Sequence, residues 1–154
     1  MLLEAANWNP DRRPLTIDEL RANPALIHYV TGWPRPGDDG IVAVAEHGEP
    51  VGAAWVRQFP ADDPGYGFVD EDTPELSVGV QPQYRGRGIG RALCAAVLDK
   101  ARGMGVAQVS LSVEKGNRAI NLYRRLGFAE YADNGDAVTM IRAILELWLA
   151  QTGR

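Results

Sequence analysis

Apolar positions change their period several times along this chain, and each change predicts an element. Leu76-Ser77-Val78-Gly79-Val80 alternates, the period-2 signature of a half-buried strand, and Gln81-Pro82 stops it because proline has no N–H for a continuing ladder. Ile89, Leu93, Ala96 and Val97 then recur at helical spacing, predicting a helix from about Arg87 to Arg102 that Gly103 and Gly105 close. Val109, Leu111 and Val113 alternate with Ser110 and Ser112 as a second strand. Ala119, Leu122, Tyr123 and Leu126 form one face of a second helix, which Asn117 can cap and Gly127 ends.

The flanks are less regular. Met1 to Ala6 reads as a first strand and Asn7 to Pro14 as turns. Thr16-Ile17-Asp18-Glu19 has the capping-box form, with Leu15 and Leu20 placed as a staple, and Pro24 suits the first turn of a further helix over Ala25 to Val30. Thr31 to Gly40 is a loop containing Trp33. Ile41 to Ala45 and Val51 to Arg57 read as a hairpin, and Ala129 to Tyr131 with Ala137 to Ile144 as an antiparallel pair around Asn134-Gly135. Phe59 to Pro74 is a long loop carrying Asp62, Asp63, Asp70, Glu71 and Asp72; loops of that length in a compact domain are often functional. Leu145 to Arg154 suits strand or helix equally. Strand, helix, strand from Leu76 to Val113 requires a parallel crossover, whereas the outer pairs are antiparallel. The expected fold is therefore an α/β chain of the α+β type, a mixed sheet with helices on both faces.

Composition narrows the classes. The 154 residues suit one domain spanning 1–154, and a net charge of -4 argues against general nucleic-acid binding, which wants a basic face. No apolar run approaches the roughly 20 residues of a membrane span, so the expected location is cytoplasmic with no membrane partner. Cys94 has no second cysteine to pair with and lies on the apolar stripe of its helix, a core position. His28 and His47 lack metal-ligand spacing; both are expected at the surface, and no metal is expected.

Between the first strand and its helix stands Arg85-Gly86-Arg87-Gly88-Ile89-Gly90-Arg91. A glycine turn feeding a helix start exposes unpaired N–H groups beside the positive end of the helix dipole, and three arginines add charge-assisted donors, so a diphosphate is the natural guest. No Lys-Ser or Lys-Thr follows the last glycine, which disfavours a nucleoside triphosphatase, and Gly86-x-Gly88-x-x-Arg91 lacks the third glycine of a dinucleotide fingerprint. A nucleotide-binding α/β module is disfavoured on the same grounds.

Arg85-x-x-Gly88-x-Gly90 does match the Gln/Arg-x-x-Gly-x-Gly/Ala loop of the GNAT family of N-acetyltransferases, which this chain resembles over about residues 74 to 130. Val80-Gln81-Pro82-Gln83-Tyr84 looks like that family's strand exit, and Asn117 to Tyr123 with Leu126-Gly127-Phe128 like its second signature. The resemblance implies a mainly antiparallel GNAT-like sheet whose central parallel pair splays apart, with acetyl-CoA as acyl donor in the cleft. It implies cofactor contacts from Val78, Gly79, Val80, Arg85, Gly86, Arg87, Gly88, Ile89, Gly90, Arg91, Asn117 and Tyr123. The acceptor would be a small-molecule or peptide amine, attacking directly in a ternary complex; a homodimer is an open expectation.

Acyl transfer to an amine needs a neutral nucleophile, an oxyanion donor and a proton for the leaving thiolate. A lysine-type amine is about 0.1% neutral at pH 7 and an α-amine about 10%, so the need for a base depends on the acceptor. Glu75, opening the cofactor strand, is the candidate base, against the alternative of a solvated strand end; Tyr123 is the candidate acid, against a plain core role. A backbone N–H near Ser77 or Val78 would meet the oxyanion. Family members that acetylate protein N-termini tend to carry a glutamate where this chain has Ser112, and Glu114 reads as a turn residue. Trp33, Tyr66 and Phe68 are candidates to wall an acceptor pocket, and the acidic loop either attracts a cationic amine or is merely solvated. A non-catalytic acyl-CoA sensor of the same fold is the alternative function.

Overall fold

The computed structural model describes residues 1–145, so the alternation predicted after Leu145 lies outside the described residues. Six strands form one sheet: β1 (Asp39–Val44), β2 (Pro50–Arg57), β3 (Glu75–Val80), β4 (Gln108–Glu114), β5 (Ala129–Asp133) and β6 (Ala137–Ala143), in the order β1-β2-β3-β4-β6-β5. The hairpin β1–β2 and the pair β5–β6 are antiparallel as expected, and β3–β4 is parallel. The sheet is thus mixed and mainly antiparallel.

Its centre is lightly joined. Six residues of β3 pair with β2 and seven of β4 pair with β6, but β3 meets β4 only at Glu75↔Ser110, next to the bond from Ser110 N to the Pro74 carbonyl at 3.0 Å. Beyond that rung the strands part. Gln81 N donates to Val51 O on the β2 side, so by strand alternation the backbone groups of Leu76, Val78 and Val80 face the opening toward β4.

One face of the sheet is dry. The helix α4 (Ile89–Gly103) lays Leu93, Cys94, Val97, Leu98 and Ala101 over Ala54, Val56, Leu76, Val109 and Leu111, and Tyr123 and Phe128 complete this core. A fully buried Leu or Val contributes about 1.5–3 kcal/mol relative to an exposed one, so this layer fixes where the strands run. Tyr123 belongs to α5 (Ala119–Arg125), and Cys94 is fully buried, as its stripe position predicted.

The opposite face carries α1 (Leu2–Ala6), α2 (Ile17–Ala22) and α3 (Pro24–Ile27). The first of these corrects the strand expected over Met1 to Ala6. Leu-Leu-Glu-Ala-Ala is built from strong helix formers with no β-branched residue, and the helix docks on β3 where a Cβ at Gly79 would collide with the Met1 carbonyl. The capping box formed as predicted, with Glu19 N donating to Thr16 Oγ1 at 3.2 Å and Thr16 N to Glu19 Oε2 at 2.8 Å. The strand end at Glu114 is not a turn: it closes β4, takes the Trp8 indole N–H, and bonds Arg12 Nη1 at 2.9 and 3.1 Å. Residues 1–12 therefore reach from Gly79 on β3 to Glu114 on β4, crossing the opening between the parted strands on this face. Among the described residues no helix is long and apolar enough to cross a membrane.

Candidate active site

The glycine turn sits where β3 leaves the sheet. A 3-10 turn at Pro82–Tyr84 precedes it, and α4 starts at Ile89 rather than Arg87 because Gly86 and Gly88 take left-handed φ angles of 75° and 80°. No side chain caps the helix. Its first intrahelical bond runs from Ala92 N to Gly88 O, which leaves the N–H groups of Ile89, Gly90 and Arg91 without a helical acceptor. Nothing stands within 4 Å of the Cβ directions of Gly86 and Gly88, so open space lies over the turn. Arg87 and Arg91 are exposed, Arg87 over the Tyr84 ring at 5.2 Å. Arg85 is otherwise employed: its guanidinium bonds Val80 O at 3.1 Å and Glu4 O at 3.2 Å, strapping α1 to the end of β3. Free helix-start donors, empty space above them and the β3 edge at Val78 and the Val80 N–H suit a long ligand with an anionic end and amide groups along its shaft. Gly79, expected to admit that shaft, gives its side-chain space to α1.

At the closed root of the opening lies Glu75, only 3% exposed, not the solvated strand end that composition alone allows. Three segments converge on it. Tyr29, just past α3, donates its phenol hydrogen to Glu75 Oε1 at 2.7 Å, and the Gly67 N–H donates to the same oxygen at 2.9 Å. The Tyr29 oxygen in turn accepts the Tyr66 N–H at 2.8 Å. Oε2 has no partner, and neither does Ser110 Oγ on the neighbouring strand. Burial pushes the Glu75 carboxyl up to about 7, against the two hydrogen bonds that hold it down. The same burial, with the adjacent carboxyl, raises the Tyr29 phenol far above its ordinary range.

Tyr29 is itself fixed by β2. Trp55 Nε1 donates to the Tyr29 carbonyl at 3.2 Å, while the fully buried Arg57 donates to the His28 and Thr31 carbonyls, each at 2.8 Å. Asp38 holds Arg57 through two bonds of 3.0 and 2.7 Å. His28 is not the surface residue expected: its side chain is 12% exposed, with Nδ1 2.9 Å from Asp63, whereas His47 is exposed. The acidic loop largely serves its own closure, since Asp70 accepts from Asp72 N and Thr73, and Glu71 from Ala61 N.

The second signature lies across the opening. Asn117 Oδ1 accepts the Ala119 N–H at 2.9 Å and so caps α5. Tyr123 is 8% exposed, edge-on to Phe128 at 6.0 Å, and burial beside Cys94 raises its phenol, keeping it neutral. Burial pushes the Cys94 thiol up to about 12, which leaves no thiolate to act as nucleophile. The three candidate aromatics separate: Trp33 lines a groove of about 460 Å³ with Met1, Val42 and Trp55, Tyr66 stacks on Tyr29 at 6.5 Å, and Phe68 stays half-buried in the loop. Sequence reasoning missed Tyr29, Gly65 and Gly67, and a lone tyrosine near a short helix carries no signal of a partner 46 residues away.

The model of the Acetyltransferase (GNAT) family matches residues 4–128. Among curated proteins, a mycothiol acetyltransferase from Saccharopolyspora erythraea is 35% identical over 128 residues, covering 82% of this chain and 37% of the relative. One from Amycolatopsis mediterranei is 33% identical, covering 82% and 40%. The chain thus spans about two-fifths of the length of these relatives. Among solved structures, a ribosomal-protein-alanine N-acetyltransferase from Brucella melitensis is 31% identical with a TM-score of 0.64, over 90% of this chain and 83% of that one. A phosphinothricin acetyltransferase from Sinorhizobium meliloti, in complex with AcCoA, shares the fold at 23% identity and a TM-score of 0.62, over 90% and 74%. With the family model covering both the glycine turn and the Asn117 to Phe128 signature, this chain belongs to the GNAT family of acetyltransferases.

Proposed function

We propose that the chain is an acetyl-CoA-dependent N-acetyltransferase whose acceptor is a primary amine of a small molecule or peptide. The observation that carries this reading is the position of Glu75, a buried carboxyl with one unpartnered oxygen at the root of a cleft that opens onto unpaired helix-start donors. Bound acetyl-CoA supplies an acyl thioester. The N–H groups of Ile89, Gly90 and Arg91, with Arg87 and Arg91, would hold its diphosphate, and the β3 edge at Val78 and the Val80 N–H would take its amides. The Val78 N–H stands on that edge, ready for negative charge developing on the acyl oxygen.

Glu75, with its proton affinity near neutrality, suits a general base at physiological pH. It takes a proton from the acceptor ammonium, freeing the nitrogen lone pair for direct attack. Tyr123, a residue of the second signature that burial keeps protonated, donates a hydrogen bond to the departing sulfur, and a proton passed to the thiolate is replaced from solvent. The names of the relatives point to two kinds of acceptor, a small molecule related to mycothiol and a protein alanine. Ser112 in place of the glutamate tied to the N-terminal subclass favours the small molecule.

Release of the CoA thiol, followed across a panel of small amines, aminoglycosides and peptides, tests the reading. At least one amine accelerates release, and Glu75→Gln abolishes that acceleration. Silence across the panel, with acetyl-CoA still raising the melting temperature, would favour the sensor instead.

A further inference from the structure

The Glu75 carboxylate is not symmetric. Oε1 is engaged twice, by the Tyr29 hydroxyl and the Gly67 N–H, while Oε2 is buried without a partner and lies where a Cβ on Gly65 would strike it. Ser110 Oγ, on the β4 residue in register with Glu75, is likewise buried and unpartnered. Buried polar atoms are nearly always satisfied, so two orphans on one face of adjacent strands mark a place for a polar guest, an ammonium nitrogen or a water that relays its proton.

We propose that Tyr29 is a positioning residue for the base: with the Gly67 N–H it saturates Oε1 and turns Oε2 into the one oxygen that accepts the substrate proton. This rests on the reading of Glu75 as the base. The proton leaves the acceptor ammonium for Oε2, the N–H bonding pair stays on nitrogen, the carboxylate becomes a neutral acid, and solvent takes the proton back after turnover. Tyr29 does not exchange its own proton, because its phenol is held far on the protonated side. Its hydroxyl instead favours the charged carboxylate, offsetting, with the Gly67 N–H, part of the desolvation that burial imposes.

Among the described residues, no other group makes a hydrogen bond to this carboxyl. Arg57, opposite Glu75 on β2, is bound by Asp38 and two carbonyls; His28, beside Tyr29, meets Asp63 through Nδ1 while its Nε2 is buried without a partner; from the loop, Tyr66 contributes its backbone to Tyr29. Ser110 is the polar neighbour on β4. The side-chain donor that tunes Glu75 is therefore Tyr29.

Two variants test this, each read by carbon-13 NMR titration of the Glu75 carboxyl and by the pH profile of kcat/KM with the best amine of the panel. Tyr29→Phe removes the donor. The carboxyl titration and the acid limb of the profile both move up by roughly one pH unit, so kcat/KM at pH 6 falls about tenfold while activity above pH 8 stays within about threefold. Replacing Tyr29 with 2,3-difluorotyrosine keeps the ring and strengthens the donor, and both readouts move the other way; this variant decides the matter should Tyr29→Phe fold poorly. A carboxyl titration that stays put in both variants, with Glu75→Gln still inactive, overturns the role of Tyr29 alone. A titration that moves while the acid limb does not overturns the proposal through its premise, since Glu75 is then not the base.

Discussion

Two glycine pairs flank the opening in this sheet, and they are glycines for opposite reasons. Gly86 and Gly88 sit in open space with φ of 75° and 80°, so it is the backbone conformation that forbids a side chain. Gly65 and Gly67 have no positive φ, yet a Cβ at Gly67 would lie 2.6 Å from the Leu111 carbonyl carbon and one at Gly65 would enter the Glu75 carboxylate. The first pair shapes an open turn at the start of α4. The second presses a loop against a strand and the Glu75 carboxyl. Conformational glycines announce themselves by their pattern, whereas steric ones depend on what the rest of the chain brings to them.

The comparison can be broken most severely at Gly67. Its neighbours are backbone atoms that cannot yield, so Gly67→Ala should cost about 3 kcal/mol of stability, read as a lowered urea midpoint. A midpoint within error of the parent would mean the loop does not rest on β4.

Next in size is the pH dependence written into Glu75. Its carboxyl is raised from 4.5 to about 7 on folding, so between those values the native state binds more protons than the unfolded chain and stability falls as pH rises. Glu75→Gln removes that descent. Between pH 5 and pH 8 the variant should gain about 2 kcal/mol relative to the parent, measured as the difference of their unfolding free energies. Parallel curves would show that the carboxyl is not desolvated.

Smallest, and opposite in sign, are two substitutions that separate strain from space. Gly88→Ala should cost about 1 kcal/mol and weaken CoA binding, because alanine resists the left-handed conformation. Gly103, the last residue of α4, has neither positive φ nor a neighbour within 4 Å, and Gly103→Ala should stabilise by about 0.5 kcal/mol in thermal melts. Equal effects at both positions would erase the distinction.

Legibility followed the range of the interactions. The strands Leu76 to Val80 and Val109 to Val113, the capping box at Thr16 and the core place of Cys94 are set by period and near neighbours, and all were readable. The segment Met1 to Ala6 was not, since six residues show too little of any period and only the composition leans helical. The surroundings of Glu75 were unreadable for a different reason. Tyr29, Gly67 and Ser110 meet Glu75 across separations that no spacing rule spans, and the burial that shifts its carboxyl comes from a loop whose acidic surface hides what its glycines do.

The lone rung between β3 and β4 makes the sheet mechanically two ribbons, β1-β2-β3 and β4-β6-β5, stitched at one point. A ligand lying along Val78 and Val80 would supply the missing stitches. The acyl donor would then be a temporary piece of the scaffold: each turnover would assemble a stiffer molecule and each product departure would loosen it again.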